Sequence, residues 1–436
     1  MKKTFLLSCL MLAAMPVMVA YTGHVYVDKN KNGVFDQSEK PLAGIKVSDG
    51  LNVVETAADG SFTLPGHERE RFIFITTPSG YKTFNRHYHK IEKKQSGYDF
   101  GLIPYSGRIR KDGSHRYIHI TDTEIFNTEN HADWVNNVRD YARNEQAAFI
   151  IHTGDICYEK GLKAHIKLMN TENMDCPVFY CIGNHDLVKG KYGEELFESI
   201  YGPVYYSFDA GNVHYVVTPM PGGDHAPGYT SDDVCRWLKN DLAHIRPGTP
   251  VVVFNHDLLT YEDTFIFKSK NAGSINLNEY NLKAWVYGHW HINYMKKQGD
   301  VYSVCTSSLD KGGIDHSTTA FRVMHVDSKG DFTSELRYTY LDKNICIASP
   351  AGVMASGVLP VAVNVYSSVS PVREVLYTCL ADGKPVLKNK RLLQSTDWSW
   401  NGELPLSHKY VGKELTLRVT ARFNNGEIAE AESNFI

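Results

Sequence analysis

The chain has 436 residues, more than one ordinary hydrophobic core accommodates, and a usual domain size of about 100–200 residues predicts two to four units. With 42% hydrophobic and 22% charged residues and a formal net charge of −3, it has the composition of an ordinary globular protein. That balance excludes nucleic acid or an anionic membrane as a bulk electrostatic partner, so any partner has to be recognised at a local site.

Residues 1–20 read as an export leader: Lys2 and Lys3, an apolar run from Phe5 to Val19, then the small Ala20. The run is short and contains Pro16, which favours cleavage over a membrane anchor. Leu6-Leu7-Ser8-Cys9 resembles an acylation site but precedes most of the apolar run, which argues against lipidation. The mature chain is expected to start near Tyr21 and to work in the periplasm, outside the cell or at its surface. No later stretch reaches the ~18 apolar residues of a spanning helix. Of eight cysteines one, Cys9, lies in the leader; the rest are scattered without a C-x-x-C pair, which argues against a disulfide framework.

Residues 21–104 alternate in the manner of strands, as in His24-Val25-Tyr26-Val27 and Phe72-Ile73-Phe74-Ile75, and predict a small β-sandwich. A polar segment at 103–113 reads as a linker. Over 113–344 strands and helices mix: short apolar strands are predicted at 117–120, 148–152, 178–182, 213–218, 250–255 and 284–287, with helices at 133–144 and 232–245. Residues 345–436 return to β texture and predict a second small β domain.

Each strand of the middle region stops at a polar loop, and in an α/β sheet the carboxyl ends of the strands are where ligands bind. In order, the loops carry Asp122-Thr123-Glu124, Gly154-Asp155, Gly183-Asn184-His185-Asp186, Asn255-His256-Asp257 and Gly288-His289-Trp290-His291. One such Asp or His is usually a cap or a turn residue. A whole series of them supplies what two divalent ions ~3.5–4 Å apart require, a shared carboxylate and several terminal N/O ligands, and such pairs catalyse phosphoryl transfer.

These motifs resemble the calcineurin-like metallophosphoesterase family, whose pattern is DxH, GD, GNH(D), a later His and GHxH. The order of domains is similar to that of exported bacterial members with β domains at both ends. The resemblance implies an α/β fold, a central metallophosphoesterase β-sandwich flanked by helices, with small all-β domains at the N- and C-termini. It implies that Asp155 bridges two metal ions, that Asp122 and His291 hold one of them with it, and that Asn184, His256 and His289 hold the other. It implies that His185 acts on the substrate phosphate or its leaving oxygen, that Asp186 orients His185, and that a hydroxide bridging the ions attacks. The sequence departs from the family at Glu124, where His is usual. If Glu124 coordinates, its hard, charged oxygen favours Mn, Fe or Mg over Zn; otherwise it accepts a hydrogen bond from a water ligand, or the first ion is weakly held. His119 and His152 lie inside apolar strands and read as core histidines, Cys157 as a buried structural thiol, and the loop 220–229, with His225 and Tyr229, as a wall of the pocket or a plain surface turn.

Asp28, Asn30, Asn32, Asp36 and Glu39 fit D-x-[DN]-x-[DN]-G-x5-E, the oxygen-rich calcium loop. The surrounding segment resembles the B-type β modules of bacterial surface adhesins, in which similar loops bind calcium; the other reading is a polar hairpin loop without an ion. The expected function is hydrolysis of a phosphate mono- or diester, the alternative a cell-surface binding protein with a degenerate phosphoesterase domain. The terminal β domains show no chemistry of their own and are expected to cover a sheet edge, narrow the pocket mouth or contact a glycan or the envelope.

Overall fold

The architecture follows from strands that are apolar on both faces. In the strand His115–Ile120, Tyr117 faces one core and Ile118 and Ile120 another; in Phe149–His152, Phe149 and Ile151 face the first core and Ile150 the second. Such strands have to be covered on both sides. The computed structural model describes residues 20–95, 97–339, 343–353 and 357–436, so the leader read at 1–20 falls, except for Ala20, outside the described residues.

A five-stranded sheet runs in the order Val178–Tyr180, Phe149–His152, His115–Ile120, Ala320–Val326 and Phe332–Tyr338, its first three strands parallel. A six-stranded sheet follows Tyr206–Ala210, Val213–Val217, Val251–Phe254, Leu282–Tyr287, Val301–Cys305 and Tyr294–Gln298, with its middle four strands parallel. Aromatic rings fill the space between them: Phe179 stacks on Phe208 at 3.7 Å, and Phe149 meets Phe208 and Tyr215, each at 4.9 Å. Each fully buried Phe of this kind contributes about 1.5–3 kcal/mol.

Three helices, α1 (Ala132–Asn144), α2 (Tyr158–Leu168) and α3 (Glu195–Tyr201), supply Trp134, Val138, Leu162 and Phe197 to the core on the outer face of the five-stranded sheet. The fourth, α4 (Ser231–Ala243), starts at a capping box between Thr230 and Asp233 and lays Trp237 and Leu238 on the six-stranded sheet beside Phe72 and Phe74. The predicted strands and both predicted helices are present with ends shifted by a residue or two. The strand Tyr206–Ala210, the pairs Val301–Cys305 with Tyr294–Gln298 and Ala320–Val326 with Phe332–Tyr338, and helices α2 and α3, are among the additions.

The two terminal regions cap sheet edges, which would otherwise expose unpaired backbone. On the N-terminal side, two sheets enclose a core including Val25, Phe62, Ile73 and Leu102, and Thr77 bridges in parallel to Phe208 on the edge strand Tyr206–Ala210. Asp209 N donates there to Thr77 O at 2.8 Å. On the C-terminal side, two four-stranded sheets enclose Val363, Tyr377, Trp400 and Val419, and Tyr366 meets the edge strand Phe332–Tyr338 through a hydrogen bond from Tyr338 N to its hydroxyl at 2.8 Å. In the loop expected to hold calcium, Asp28 accepts from Asn32 N and Gly33 N, Glu39 from Lys29 N and Asp36 N, and Asp36 from the side-chain amides of Asn30 and Asn32. The loop therefore closes on its own N–H groups.

His214 is buried between Asp209 Oδ1 at 2.7 Å and Asp241 Oδ2 at 2.8 Å. Burial alone would lower its pKa, but the Asp241 and Asp209 carboxylates outweigh it and raise the value to about 9. The folded state thus holds this proton more tightly than the unfolded chain does. The stability it contributes is complete below the unfolded value near 6.5 and is lost as pH rises through about 9. Urea denaturation at a series of pH values is expected to show stability falling across that window in the wild type and a flatter profile in His214→Gln.

Candidate metal centre

Five loops at the carboxyl ends of the parallel strands bend abruptly enough to turn their side chains toward one point. Asp122, Glu124, Asp155, Cys157, Tyr158, His289 and His291 all have φ between +44° and +77°, a left-handed conformation that costs a non-glycine residue of order 1–3 kcal/mol and clusters at functional sites. Close approach of these loops requires glycine between them. A Cβ on Gly183 would lie 2.2 Å from Asp155 Oδ1, and one on Gly288 would lie 1.8 Å from Thr121 Oγ1.

Asp122 and Asp155 are buried at the centre. Asp122 Oδ2 accepts from Thr121 Oγ1 at 2.6 Å and His289 N at 3.0 Å, and its Oδ1 lies 3.2 Å from His291 Nε2 and 3.9 Å from His256 Nε2. Asp155 Oδ1 accepts from His185 N at 3.0 Å, while its Oδ2 lies 3.1 Å from His256 Nε2. His256 uses Nδ1 on Thr153 O at 2.7 Å, which leaves Nε2 pointed at the two carboxylates. Donor atoms of Asp155, His256 and His289 all fall within 4.8 Å of one another.

Three atoms here, Asp122 Oδ1, Asn184 Oδ1 and His256 Nε2, are buried without an aligned hydrogen-bond partner. Such atoms are costly unless something binds them. A set of carboxylate, amide and imidazole donors left over at one place fits divalent cations. Asp122, Asp155, Asn184, His256, His289 and His291 could hold them, with Glu124 Oε1 at 3.4 Å from His291 Nε2 on the rim. Burial lowers and the carboxylates of Asp155 and Asp122 raise the His256 pKa, to about 10 on balance. In the metal-free protein this proton takes part of the cation's role, so loading is coupled to its release.

Two expectations need correction. Asp186 does not orient His185: its carboxylate accepts from Gly183 N at 2.9 Å, closing the turn of its own loop, and from Cys157 N at 2.8 Å in the neighbouring Asp155 loop. Burial, then the Asp155 charge, raises its pKa to about 6. The partner of His185 is Asp224, with Oδ2 at 2.8 Å from Nδ1. Tyr229 does not wall the pocket; it is buried and donates its hydroxyl to Met220 O at 2.6 Å. Two groups were missed in the sequence. Asp224 lies in the loop 220–229 without any motif to mark it, and Lys311, whose ammonium pairs with Glu124 Oε2, comes from a segment 187 residues away.

His119 bridges Thr153 Oγ1 and Thr306 Oγ1, each at 2.8 Å, and His152 contacts Thr123 Oγ1 at 3.0 Å; burial pushes the pKa of both well below the ordinary range. Both are satisfied core histidines. The Cys157 thiol is also buried and its pKa is pushed up by burial and by the Asp155 charge.

The N-terminal region fixes the loop that carries Asp224. Arg71 Nη2 lies 2.7 Å from Glu194 Oε1, Glu194 accepts from Gly228 N at 2.8 Å, and Arg69 Nη2 donates to Gly228 O at 2.6 Å. At the other end of the loop, Asp224 N donates to Asn184 O at 3.1 Å.

The chain matches the family model for calcineurin-like phosphoesterase over residues 115–293 and the model for the N-terminal domain of calcineurin-like phosphoesterase over residues 29–104, together more than half of its length. It belongs to the calcineurin-like phosphoesterase family. Members of this family are metal-dependent phosphoesterases, and the fold of the central sheets is the metallophosphoesterase fold. Purple acid phosphatase 13 of Arabidopsis thaliana is 26% identical over 215 residues, covering 46% of this chain. The match covers only 36% of the length of that relative. Among solved structures, an archaeal phosphodiesterase aligns at 13% identity over 51% of this chain and 99% of its own, with a TM-score of 0.27. Vacuolar protein sorting 29 of Cryptosporidium parvum aligns at 10% identity over 67% and 99%, also with a TM-score of 0.27.

Burial lowers the His185 pKa, but the hydrogen bond to Asp224 and the charge of Asp155 raise it above the ordinary value on balance. Asp224→Asn removes one of the three raising groups, the others being Asp155 and Glu124. If His185 works in its protonated form, the alkaline limb of the kcat/KM profile is expected to move to lower pH in Asp224→Asn, measured on an ester with a poor leaving group.

Proposed function

We propose that this protein is an exported phosphoesterase that hydrolyses a phosphate mono- or diester with two divalent cations held by Asp122, Asp155, Asn184, His256, His289 and His291. The observation that carries the proposal is the presence of Asp122 Oδ1, Asn184 Oδ1 and His256 Nε2, each buried without an aligned hydrogen-bond partner, at the ends of parallel strands from two sheets. Bound cations would neutralise phosphate charge and lower the pKa of a shared water from 15.7 toward about 7.

The chain's own groups divide the remaining work. Asp155 would hold both cations. His185, protonated and held by Asp224, donates to the leaving oxygen or to a phosphate oxygen, and its side chain is exposed enough to meet substrate. Lys311 cancels the charge that Glu124 brings in place of the family's neutral His. That pairing weakens Glu124 as a ligand and leaves Mn or Fe, Mg or Zn to be selected mainly by the other six donors. Export rests on the sequence of residues 1–20. No helix among the described residues is long and apolar enough to cross a membrane.

Elemental analysis of the purified chain, paired with hydrolysis of p-nitrophenyl phosphate and bis-p-nitrophenyl phosphate with and without Mn, tests the proposal. About two metal ions per chain and metal-dependent turnover are expected, and the ratio of the two rates gives the ester preference. Asn184→Ala and His289→Ala should lose metal and activity together. His185→Ala should keep its metal and lose about 10²–10⁴-fold in turnover of an ester with a poor leaving group. A protein that holds no metal and turns over neither ester after reconstitution would support the binding-protein alternative instead.

A further inference from the structure

The large exposed apolar side chains of the central sheets' loops are not scattered. Phe126 follows Glu124, Tyr158 follows Asp155, Tyr261 follows His256, Tyr294 follows His291, and Ile314 N is hydrogen-bonded to His291 O at 2.9 Å. Three of the five lie in loops that carry or touch the proposed ligands, and the other two directly after such loops, Tyr158 opening α2 and Tyr294 opening the strand Tyr294–Gln298. Singly exposed apolar residues need no explanation, but a contiguous set beside a polar centre marks a binding surface.

The best-formed part of this set lies on the His289 side. A hollow of about 490 Å³ is lined by Leu258, Tyr261, His289, Trp290, Ile292 and Ile314, together with Asp257. Trp290, half-buried, is one of its lining residues. The indole Nε1 donates to Asp257 Oδ1 at 3.1 Å, and the ring packs edge-on against buried Tyr287 with centroids 5.2 Å apart at 83°. Tyr261, 73% exposed, lies nearly parallel to Trp290 at 5.8 Å and 25°. An indole held in place by buried Tyr287 and half-buried Asp257, next to a largely exposed phenol ring, presents flat π surface to solvent at little entropic cost on binding.

From this geometry we infer that the substrate is a phosphate ester carrying a flat aromatic ring, which stacks at the Trp290–Tyr261 shelf while its phosphate occupies the metal centre. The inference rests on the phosphoesterase reading and names the substrate class of that site. His289 both lines the hollow and supplies a donor atom to the centre, so the ring and the phosphorus are separated by a short connection. A protein partner seated on the shelf would also cover the metal centre. A long acyl chain would lack an enclosed groove, because Tyr261 and Ile314, 73% and 74% exposed, leave the outer side open to water. Aryl groups and nucleobases share the chemistry that the shelf recognises.

Binding of phenylphosphonate and methylphosphonate to the Mn-loaded full chain, measured by calorimetry, tests the inference without turnover. Phenylphosphonate is expected to bind about tenfold more tightly or better, as one aromatic stack provides. In Tyr261→Ala that preference should fall about five-fold, and Tyr261→Phe should retain it. Steady-state rates on phenyl phosphate, adenosine 5′-monophosphate and glycerol 2-phosphate then separate the two aromatic sources: a nucleobase preference puts the second substrate first, an aryl preference the first. Equal affinity for the two phosphonates in the wild type, or an unchanged preference in Tyr261→Ala, would overturn the shelf while Mn-dependent turnover of glycerol 2-phosphate left the phosphoesterase reading intact. Failure of both phosphonates to bind, together with no Mn-dependent turnover of any of these esters or of bis-p-nitrophenyl phosphate, would overturn the two together.

Discussion

Two carboxylates, Asp122 and Asp155, are buried at the ends of adjacent parallel strands, and much of the central fold answers the charge they bring. Like charges in a desolvated place repel strongly, and each needs hydrogen-bond donors or cations in place of water. The chain supplies amides from His185 and His289, a hydroxyl from Thr121, and the imidazoles of His256 and His291. These partners come from both sheets, so packing the sheets against each other and compensating the two carboxylates are one constraint. The compensation is incomplete in the metal-free protein, where Asp122 Oδ1 and His256 Nε2 have no aligned partner. That remainder is where divalent cations fit.

The left-handed residues, which fall in three of the five loops, belong to the same constraint. Strain at Asp122, Glu124, Asp155, His289 and His291 persists only because the layers behind them over-determine the backbone. The aromatic packing around Phe149 and the helix-covered face around Trp134 provide that rigidity. The terminal β regions extend it outward: one caps the edge strand Tyr206–Ala210 and, through Arg69 and Arg71, fixes the loop that carries Asp224. The N-terminal region is thereby connected to His185 through the backbone between Gly228 and Asp224, held by hydrogen bonds at both ends, although it contributes no group to the centre itself.

The strands and their loops were legible in the sequence because a buried parallel strand is a short apolar run with an abrupt polar end, and the ligand-type residues sit in the first few positions after it. The mixed α/β class and the β character of both terminal regions were legible for the same reason. What escaped were contacts made by loops that meet only in space. Asp186 stands next to His185 in the chain, but an Asp three residues after Gly183 closes a local turn on amide donors more readily than it reaches a neighbouring side chain. Asp224 and Lys311 have no periodicity or spacing that links them to His185 or Glu124. The hairpin Ala320–Val326 with Phe332–Tyr338 was missed because its second strand is only half-buried and carries charges at Glu335 and Arg337.

The central claim is that Asp155 stands between two cations, and anomalous diffraction from crystals grown with Mn tests it most directly. The account predicts two peaks ~3.5–4 Å apart, one beside Asp122 and His291, the other beside Asn184, His256 and His289, with the Asp155 carboxylate reaching both. A single peak, or peaks away from Asp155, would contradict it.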